Sequence, residues 1–108
     1  MRIRATVAEV RGAPLPEGRL SPLVMEHGSM TLRFYAPPAD GDPQQPHDQD
    51  ELYIVQLGSG TFFMAGERVP CEPGDVLFAP AAAEHRFEDY SDDFALWVVF
   101  YGPEGGEG

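Results

Sequence analysis

Residues 46–60 read PHDQDELYIVQLGSG, in which a histidine and three carboxylates stand directly before an apolar run that ends in Gly-Ser-Gly. Alternate side chains of a β-strand lie on one face. In the run 51–57 one such face carries Glu51, Tyr53, Val55 and Leu57. A glutamate on this apolar face is buried, and a lone buried carboxylate is costly unless it has a partner or a metal ion. His47, at the end of the preceding loop, can fold over the same opening.

The rest of the chain is also divided into short apolar runs. Twelve glycines and eleven prolines are spread along it, and the runs between them are rich in β-branched and aromatic residues, which favour a pleated surface. No window shows a helical stripe of a dozen residues, and TVAEVRG (6–12) can form one helical turn at most. The sequence therefore predicts an all-β fold. The expected strands lie in 21–27, 30–36, 51–57, 61–66, 75–80, 85–89 and 94–101.

The length of 108 residues predicts one domain, residues 1–108. Residues 37–50 contain four prolines and no strand former, so they are expected to form a loop. Residues 103–108 offer nothing to bury, and we expect them to be a flexible tail.

The charge of the chain limits its partners. It has 18 acidic and 7 basic residues, a formal net charge of -11. Such a field repels phosphate backbones and anionic lipid, so neither nucleic acid nor a membrane is an expected partner. It also disfavours an anionic small molecule unless a local cation compensates. The single cysteine, Cys71, excludes an intrachain disulfide. The N-terminal stretch lacks the apolar segment of a secretion signal, so a cytoplasmic location is expected.

A second histidine follows a later apolar run. Gly74 and Pro80 bracket a short predicted strand, and His85 begins the next one. Two histidines and a glutamate on separated strands suit a divalent transition metal, and such a set with open positions is typical of non-haem ferrous iron sites. Imidazole and carboxylate also suit manganese, zinc and nickel. The predicted ligands are therefore His47, Glu51 and His85, and the ion is left open.

These two stretches resemble the motif blocks of the cupin superfamily. The first cupin block has two histidines separated by one residue, then a glutamate and, six residues later, a glycine. Here His47, Glu51 and Gly58 stand at matching positions, and Gln45 stands where the first histidine is usual.

The second cupin block has a glycine, a proline, a second glycine, a histidine and an asparagine at fixed spacing. Gly74, Pro80 and His85 match it, while Ala82 replaces the second glycine and Asp89 replaces the asparagine. Together the two blocks cover residues 45–89.

The resemblance implies a single-domain, jelly-roll-type antiparallel β-barrel that binds a divalent metal (iron, manganese, zinc or nickel). It adds Gln45 to the predicted ligands, through an amide oxygen that binds more weakly than imidazole. Tyr53 shares the face of Glu51 by parity and is the candidate catalytic residue, as a hydrogen-bond donor that handles protons. A homodimer is expected because a small barrel leaves an edge that must be covered.

Two functions of different class follow. One is a metal-dependent, dioxygenase-like oxidoreductase acting on a small molecule, with His47, Glu51 and His85 as ligands. The other is a binding module without chemistry, which captures a small ligand or uses the metal to stiffen the barrel.

Other polar residues have simpler interpretations. Asp48 and Asp50 are expected to be solvated in the loop, and His27 to be a strand-end or turn residue. Cys71, between Pro70 and Pro73, is expected to lie in a turn and to be unreactive.

Overall fold

The computed structural model describes residues 2–15 and 20–107, which form one short helix and two antiparallel sheets. The larger sheet has the strand order β1-β2-β8-β3-β6 and the smaller one the order β5-β4-β7. The elements are α1 (Val7–Arg11), β1 (Leu23–His27), β2 (Met30–Tyr35), β3 (Asp50–Leu57), β4 (Gly60–Met64), β5 (Glu67–Cys71), β6 (Val76–Ala79), β7 (His85–Glu88) and β8 (Ala95–Tyr101). The predicted all-β, jelly-roll-type fold is confirmed, with the two sheets on either side of a common core rather than joined by strand pairing within the described ranges.

The seven predicted strands are present, and the structure adds β5, which the sequence analysis missed. This strand contains Pro70, a residue that central strands exclude. Strand β5 is an edge strand that pairs only with β4 among the described residues, so the missing N–H of Pro70 breaks no ladder on its outer side.

The prediction of a turn at Cys71 is also wrong, because this residue belongs to the missed strand β5. Cys71 is the last residue of β5, is buried, and its Sγ lies 3.5 Å from the carbonyl oxygen of Gly60. Burial and then the charge of Asp75 raise the pKa of the thiol. A thiol with a raised pKa is a poor nucleophile, which agrees with the expected lack of reactivity.

The parity of β3 determines which side chains enter the core. Glu51, Tyr53 and Val55 are 1%, 0% and 1% exposed, as predicted. Leu57 departs from the prediction because a register shift against β8 lies between Val55 and Leu57. Leu57 packs instead against a second apolar cluster, in which Val10 of α1 contacts the larger sheet.

Helix α1 is slightly longer than the single turn expected. Thr6 and Glu9 form a capping box, in which each side chain bonds the backbone N–H of the other residue. The helix buries Val10 and covers part of the outer face of the larger sheet. Within the described part of the chain, no helix is long and apolar enough to cross a membrane.

The loop that precedes β3 is fastened to the smaller sheet by Asp42. Its carboxylate accepts hydrogen bonds from the backbone N–H of Phe87, at 2.8 Å, and from the Tyr35 hydroxyl. Phe87 lies in β7, an edge strand of the smaller sheet, so Asp42 satisfies a donor that this sheet leaves unpaired. The loop thereby lies over the end of the core that contains Glu51.

The C-terminal segment contacts this loop. The N–H of Gly105 donates to the Asp48 carbonyl at 2.7 Å, and the N–H of Glu107 donates to Asp50 Oδ2 at 3.0 Å. The flexibility of residues 103–108 and the single-domain assignment stay predictions.

Candidate metal centre

The side chains of His47, Glu51 and His85 converge at one end of the core. His47 comes from the loop, Glu51 from β3 in the larger sheet, and His85 from the first position of β7 in the smaller sheet. One ligand atom from each residue lies within 4.8 Å of the other two. Glu51 and His85 are buried, and the His47 side chain is 34% exposed. The structure thus brings the three predicted metal ligands into one cluster, called the triad below.

Glu51 accepts hydrogen bonds at both carboxylate oxygens. Oε1 bonds with Nδ1 of His47, and Oε2 accepts from the Tyr53 hydroxyl at 2.6 Å. Burial raises the pKa of the Glu51 carboxyl, but the interactions of the carboxylate with His47, His85 and Tyr53 together outweigh burial and hold the pKa at about 2. The carboxylate is therefore ionised at neutral pH although it is almost fully buried.

The hydrogen bond of His85 determines its tautomer. Nδ1 lies 2.9 Å from the carbonyl oxygen of Ala83, which can only accept, so Nδ1 carries a proton. Nε2 faces the triad 3.1 Å from Glu51 Oε1, but this contact is not a hydrogen bond. Among the described residues, Nε2 of His85 is the one buried side-chain nitrogen or oxygen without a hydrogen-bond partner.

A buried, unpartnered ring nitrogen beside an ionised carboxylate fits a cation between them. In the neutral ring the lone pair of Nε2 opposes the charge of Glu51, and either a proton or a metal ion removes this repulsion. Burial lowers the pKa of His85, but the nearby Glu51 raises it by more, so the net shift is upward. The donor set is that of a transition-metal site, and the Ala83 carbonyl orients His85 in the way that metal-ligating histidines are usually oriented.

Tyr53 lies beneath Glu51 and is fully buried. Its hydroxyl is 2.6 Å from Glu51 Oε2 and 2.9 Å from Gln44 Oε1, and its single proton can serve only one of them at a time. Burial, and after it the charge of Glu51, raises the pKa of Tyr53 well above its usual value. The hydroxyl is therefore a persistent donor at neutral pH, and the catalytic role of Tyr53 stays a prediction.

Gln44 was missed by the sequence analysis, which selected its neighbour Gln45. The Gln44 side chain bonds both Tyr53 and Asp42, which links the loop to the triad. Gln45 is exposed at the edge of the site, and its role as a metal ligand stays a prediction. The motif position distinguished Gln45 in the sequence, whereas only closeness to His47 distinguished Gln44.

The two loop acids differ from each other. Asp48 is exposed, as expected. The expectation of a solvated Asp50 is wrong, because Asp50 is 5% exposed and accepts from the N–H groups of Glu107 and Ala81. These two hydrogen bonds lower the pKa of the Asp50 carboxyl. Asp50 therefore fastens the tail and the turn after β6 beside the site.

His27 ends β1 and is exposed, as expected.

A pocket of about 530 Å³ opens beside His47. The Phe100 ring packs edge-on against His47, with 5.1 Å between ring centroids. The lining residues are mostly polar: Leu20, Ser21, Thr31, Arg33, Pro43, Gln44, Gln45, His47, Asp48, Gln49 and Phe100. The pocket gives a small molecule a route to the partly exposed member of the triad.

Ala82 holds the turn that supports His47. Its N–H donates to the His47 carbonyl at 2.8 Å, and its φ is 68°, a left-handed conformation that favours glycine. This explains the glycine usual at the matching motif position. Asp89, where asparagine is usual, also has a positive φ (49°), which these two residue types tolerate better than most.

We expect Ala82→Gly to stabilise the protein by about 0.5 kcal/mol. Relief of left-handed strain, about 1–2 kcal/mol, is partly offset by the greater chain entropy of glycine in the unfolded state, about 0.5–1 kcal/mol. Urea unfolding followed by circular dichroism measures the change. The control is Ala83→Gly, whose φ is not positive and which we expect to destabilise the protein. Equal destabilisation by both variants would contradict the interpretation.

Comparison with known proteins adds one family and several relatives. The family model described as Cupin domain matches residues 32–101. An uncharacterized protein of Streptomyces coelicolor is 36% identical over 77 residues, which cover 70% of this chain and 73% of that protein. Acireductone dioxygenase 1 of Pectobacterium atrosepticum is 39% identical over 67 residues, which cover 57% of this chain but 39% of that protein.

Solved structures agree in fold. The crystal structure of a Cupin 2 conserved barrel domain protein from Salinispora arenicola matches with a TM-score of 0.66 and covers 94% of this chain and 89% of that chain. The two sequences are 20% identical, so this likeness concerns the fold alone.

Proposed function

Because the chain belongs to the cupin superfamily, we propose that it is a metal-dependent oxidoreductase of the dioxygenase type that acts on a small molecule. In this proposal His47, Glu51 and His85 hold one divalent transition metal beside the pocket. The observation that carries it is the buried Nε2 of His85, which has no hydrogen-bond partner in the described structure and faces the ionised Glu51.

The donor atoms support a transition metal rather than calcium or magnesium. Two imidazoles and one carboxylate are the ligands that iron, manganese, zinc and nickel accept, whereas calcium and magnesium prefer oxygen. Three protein ligands leave coordination positions of the metal open for a ligand that does not come from the protein. A metal held there would supply Lewis-acid or redox chemistry.

The protein's own residues keep the ligand atoms in place. Tyr53 donates to Oε2 of Glu51 and so leaves Oε1 facing the two histidines. The Ala83 carbonyl holds the proton of His85 on Nδ1, away from the triad. In the proposed reaction Tyr53 keeps its proton at the hydroxyl oxygen, because the pKa of this group is raised.

The loop that carries His47 also limits the access of water. Asp42 fastens this loop to β7, and Gln44 joins it to Tyr53. The triad is therefore closed on the core side and reached from the pocket past His47. The buried histidine and carboxylate keep their orientation in such an enclosed site.

The assignment to the dioxygenase class is supported by the similarity between part of this chain and acireductone dioxygenase 1 of Pectobacterium atrosepticum. The expected homodimer and the cytoplasmic location stay predictions. The exposed side chains of Val76 and Phe78 on the edge strand β6 are compatible with a partner at that edge.

Dioxygen uptake by the iron-loaded protein tests the proposal. We expect an acireductone, supplied as the probe substrate, to start uptake in the wild type and in His27→Ala, whose histidine lies outside the triad. His85→Ala is expected to show none above the rate without protein. If the iron-loaded wild type consumes no dioxygen with this probe, the dioxygenase assignment fails and the protein is a ligand-binding cupin.

A further inference from the structure

The carboxylate of Asp42 accepts four hydrogen bonds. Oδ1 accepts from the Tyr35 hydroxyl and from the backbone N–H of Gln44, the latter at 3.2 Å. Oδ2 accepts from Nε2 of Gln44 at 2.7 Å and from the backbone N–H of Phe87 at 2.8 Å. An ionised carboxylate offers about four acceptor positions on its two oxygens. A side chain with one acceptor oxygen could therefore not serve these four donors together.

Two of the four donors belong to different sheets. Tyr35 ends β2 in the larger sheet, Phe87 lies in β7 of the smaller sheet, and they are 3% and 2% exposed. Burial, and after it the hydrogen bond with Asp42, raises the pKa of Tyr35, so its hydroxyl is a donor at neutral pH. A buried donor that loses its acceptor is costly. Asp42 therefore holds the loop against both sheets at once.

Asp42 also determines which way the amide of Gln44 points. A glutamine amide donates through its nitrogen and accepts through its oxygen. Because Nε2 of Gln44 bonds Asp42, Oε1 faces the Tyr53 hydroxyl at 2.9 Å. This hydroxyl lies 2.6 Å from Oε2 of Glu51. A chain of polar contacts thus runs from Asp42 through Gln44 and Tyr53 to the buried carboxylate of the triad.

The two histidines of the triad lie on elements that Asp42 fastens. His85 stands two residues before Phe87 in β7, so their side chains lie on the same face of that strand. His47 follows Asp42 by five residues in the same loop. The positions of all three predicted ligands therefore depend on one carboxylate that is not itself a predicted ligand.

We propose that Asp42 is a positioning residue of the metal centre, which sets the spacing of the three ligands and thereby raises the affinity for the metal. It acts through the loop, through β7 and through the contact between Gln44 and Tyr53. This inference rests on the proposed metal site and adds a requirement that lies before both motif blocks. Hydrogen-bond partners that orient metal ligands contribute about 10–100-fold to metal affinity.

Zinc affinity, measured by competition with a chromophoric chelator, tests this inference. We expect Asp42→Asn to lower the affinity about tenfold or more, because asparagine keeps the shape of the side chain but has one acceptor oxygen. Loss of zinc to an excess of chelator should become faster, because the loop that carries His47 opens more often. The matched control is Asp40→Asn, which removes the same charge from an exposed position in the same loop and should bind zinc as the wild type does.

Three further variants separate positioning from charge and from stability. Asp42→Glu keeps the charge but displaces the carboxylate by one methylene, and Gln44→Leu interrupts the polar chain without changing any charge. Both are expected to weaken zinc binding. Gly74→Ala, at a φ of 93°, is expected to lower the thermal midpoint through backbone strain and to leave zinc affinity unchanged. Circular dichroism verifies that each metal-free variant is folded.

The outcomes distinguish this inference from the proposed function. Wild-type zinc affinity in folded Asp42→Asn would refute the positioning role and leave the metal centre standing. Wild-type affinity in both Asp42→Glu and Gln44→Leu would refute it as well, since any loss in Asp42→Asn would then be an effect of charge. If Asp42→Asn does not fold, Gln44→Leu decides in its place. A wild type that binds no zinc would overturn the metal centre and, with it, the positioning role.

Discussion

Replacing Glu51 by glutamine is expected to lower the affinity for a divalent metal by more than about 100-fold. Outer-shell partners of metal ligands contribute about 10–100-fold, and a ligand itself contributes more. Glu51 supplies the negative charge of the triad and faces both histidines, at 3.1 Å from His85 Nε2. Glutamine keeps the shape of the side chain and removes the charge. Competition titration with a chromophoric zinc chelator measures the affinity.

The matched control for this change is Glu26→Gln. Glu26 lies exposed in β1, so its loss is expected to leave metal affinity unchanged. Circular dichroism of both metal-free variants verifies that the fold is retained. Wild-type zinc affinity in a folded Glu51→Gln protein would refute Glu51 as a ligand.

The second large effect is expected at Gly58, where alanine should destabilise the protein by about 3 kcal/mol. Its φ of 73° costs a residue with a Cβ about 1–2 kcal/mol. An added Cβ would also lie 2.8 Å from the Cα of Phe94 and 2.7 Å from Oδ1 of Asp93. Backbone cannot move aside as a flexible side chain can, so overpacking adds about 1–3 kcal/mol. For a domain of this size the thermal midpoint should fall by about 10–20 °C.

Gly74→Ala separates the two causes of this loss. Gly74 has a φ of 93°, but nothing lies within 4 Å of the position that its Cβ would occupy. We therefore expect a loss of about 1 kcal/mol from backbone strain alone. Thermal unfolding of both variants gives the comparison. Equal losses at Gly58 and Gly74 would show that the contact with residues 93 and 94 does not matter.

The sequence predicted the strands that follow the ordinary rules of strand composition and missed the one that breaks them. Apolar alternation in 51–57 gave the correct inner face because the period of a strand is two. Strand β5 was missed because Pro70 is excluded from central strands, and only the topology reveals that β5 is an edge. The register shift before Leu57 was also invisible, since it depends on pairing with β8.

The residues of the site also fall into those that the sequence could predict and those that it could not. His47, Glu51 and His85 could be selected because ligand chemistry and motif spacing both pointed to them. Asp42 and Gln44 could not, because their importance comes from what the loop contacts: the N–H of Phe87, 45 residues away in sequence, and the hydroxyl of Tyr53. Asp50 was misjudged because its partners lie in the turn after β6 and in the tail. Arg33 lines the pocket because of the way in which β2 pairs with β8, and no local sequence pattern encodes this pairing.

The measurement that tests the metal centre most directly is the metal content per chain, determined by plasma mass spectrometry on protein purified without chelator. We predict close to one iron, manganese, zinc or nickel ion per chain in the wild type and in His27→Ala, and a background level in His47→Ala and His85→Ala. A wild type without metal, after reconstitution with each of the four ions in turn, would contradict the triad as a metal site.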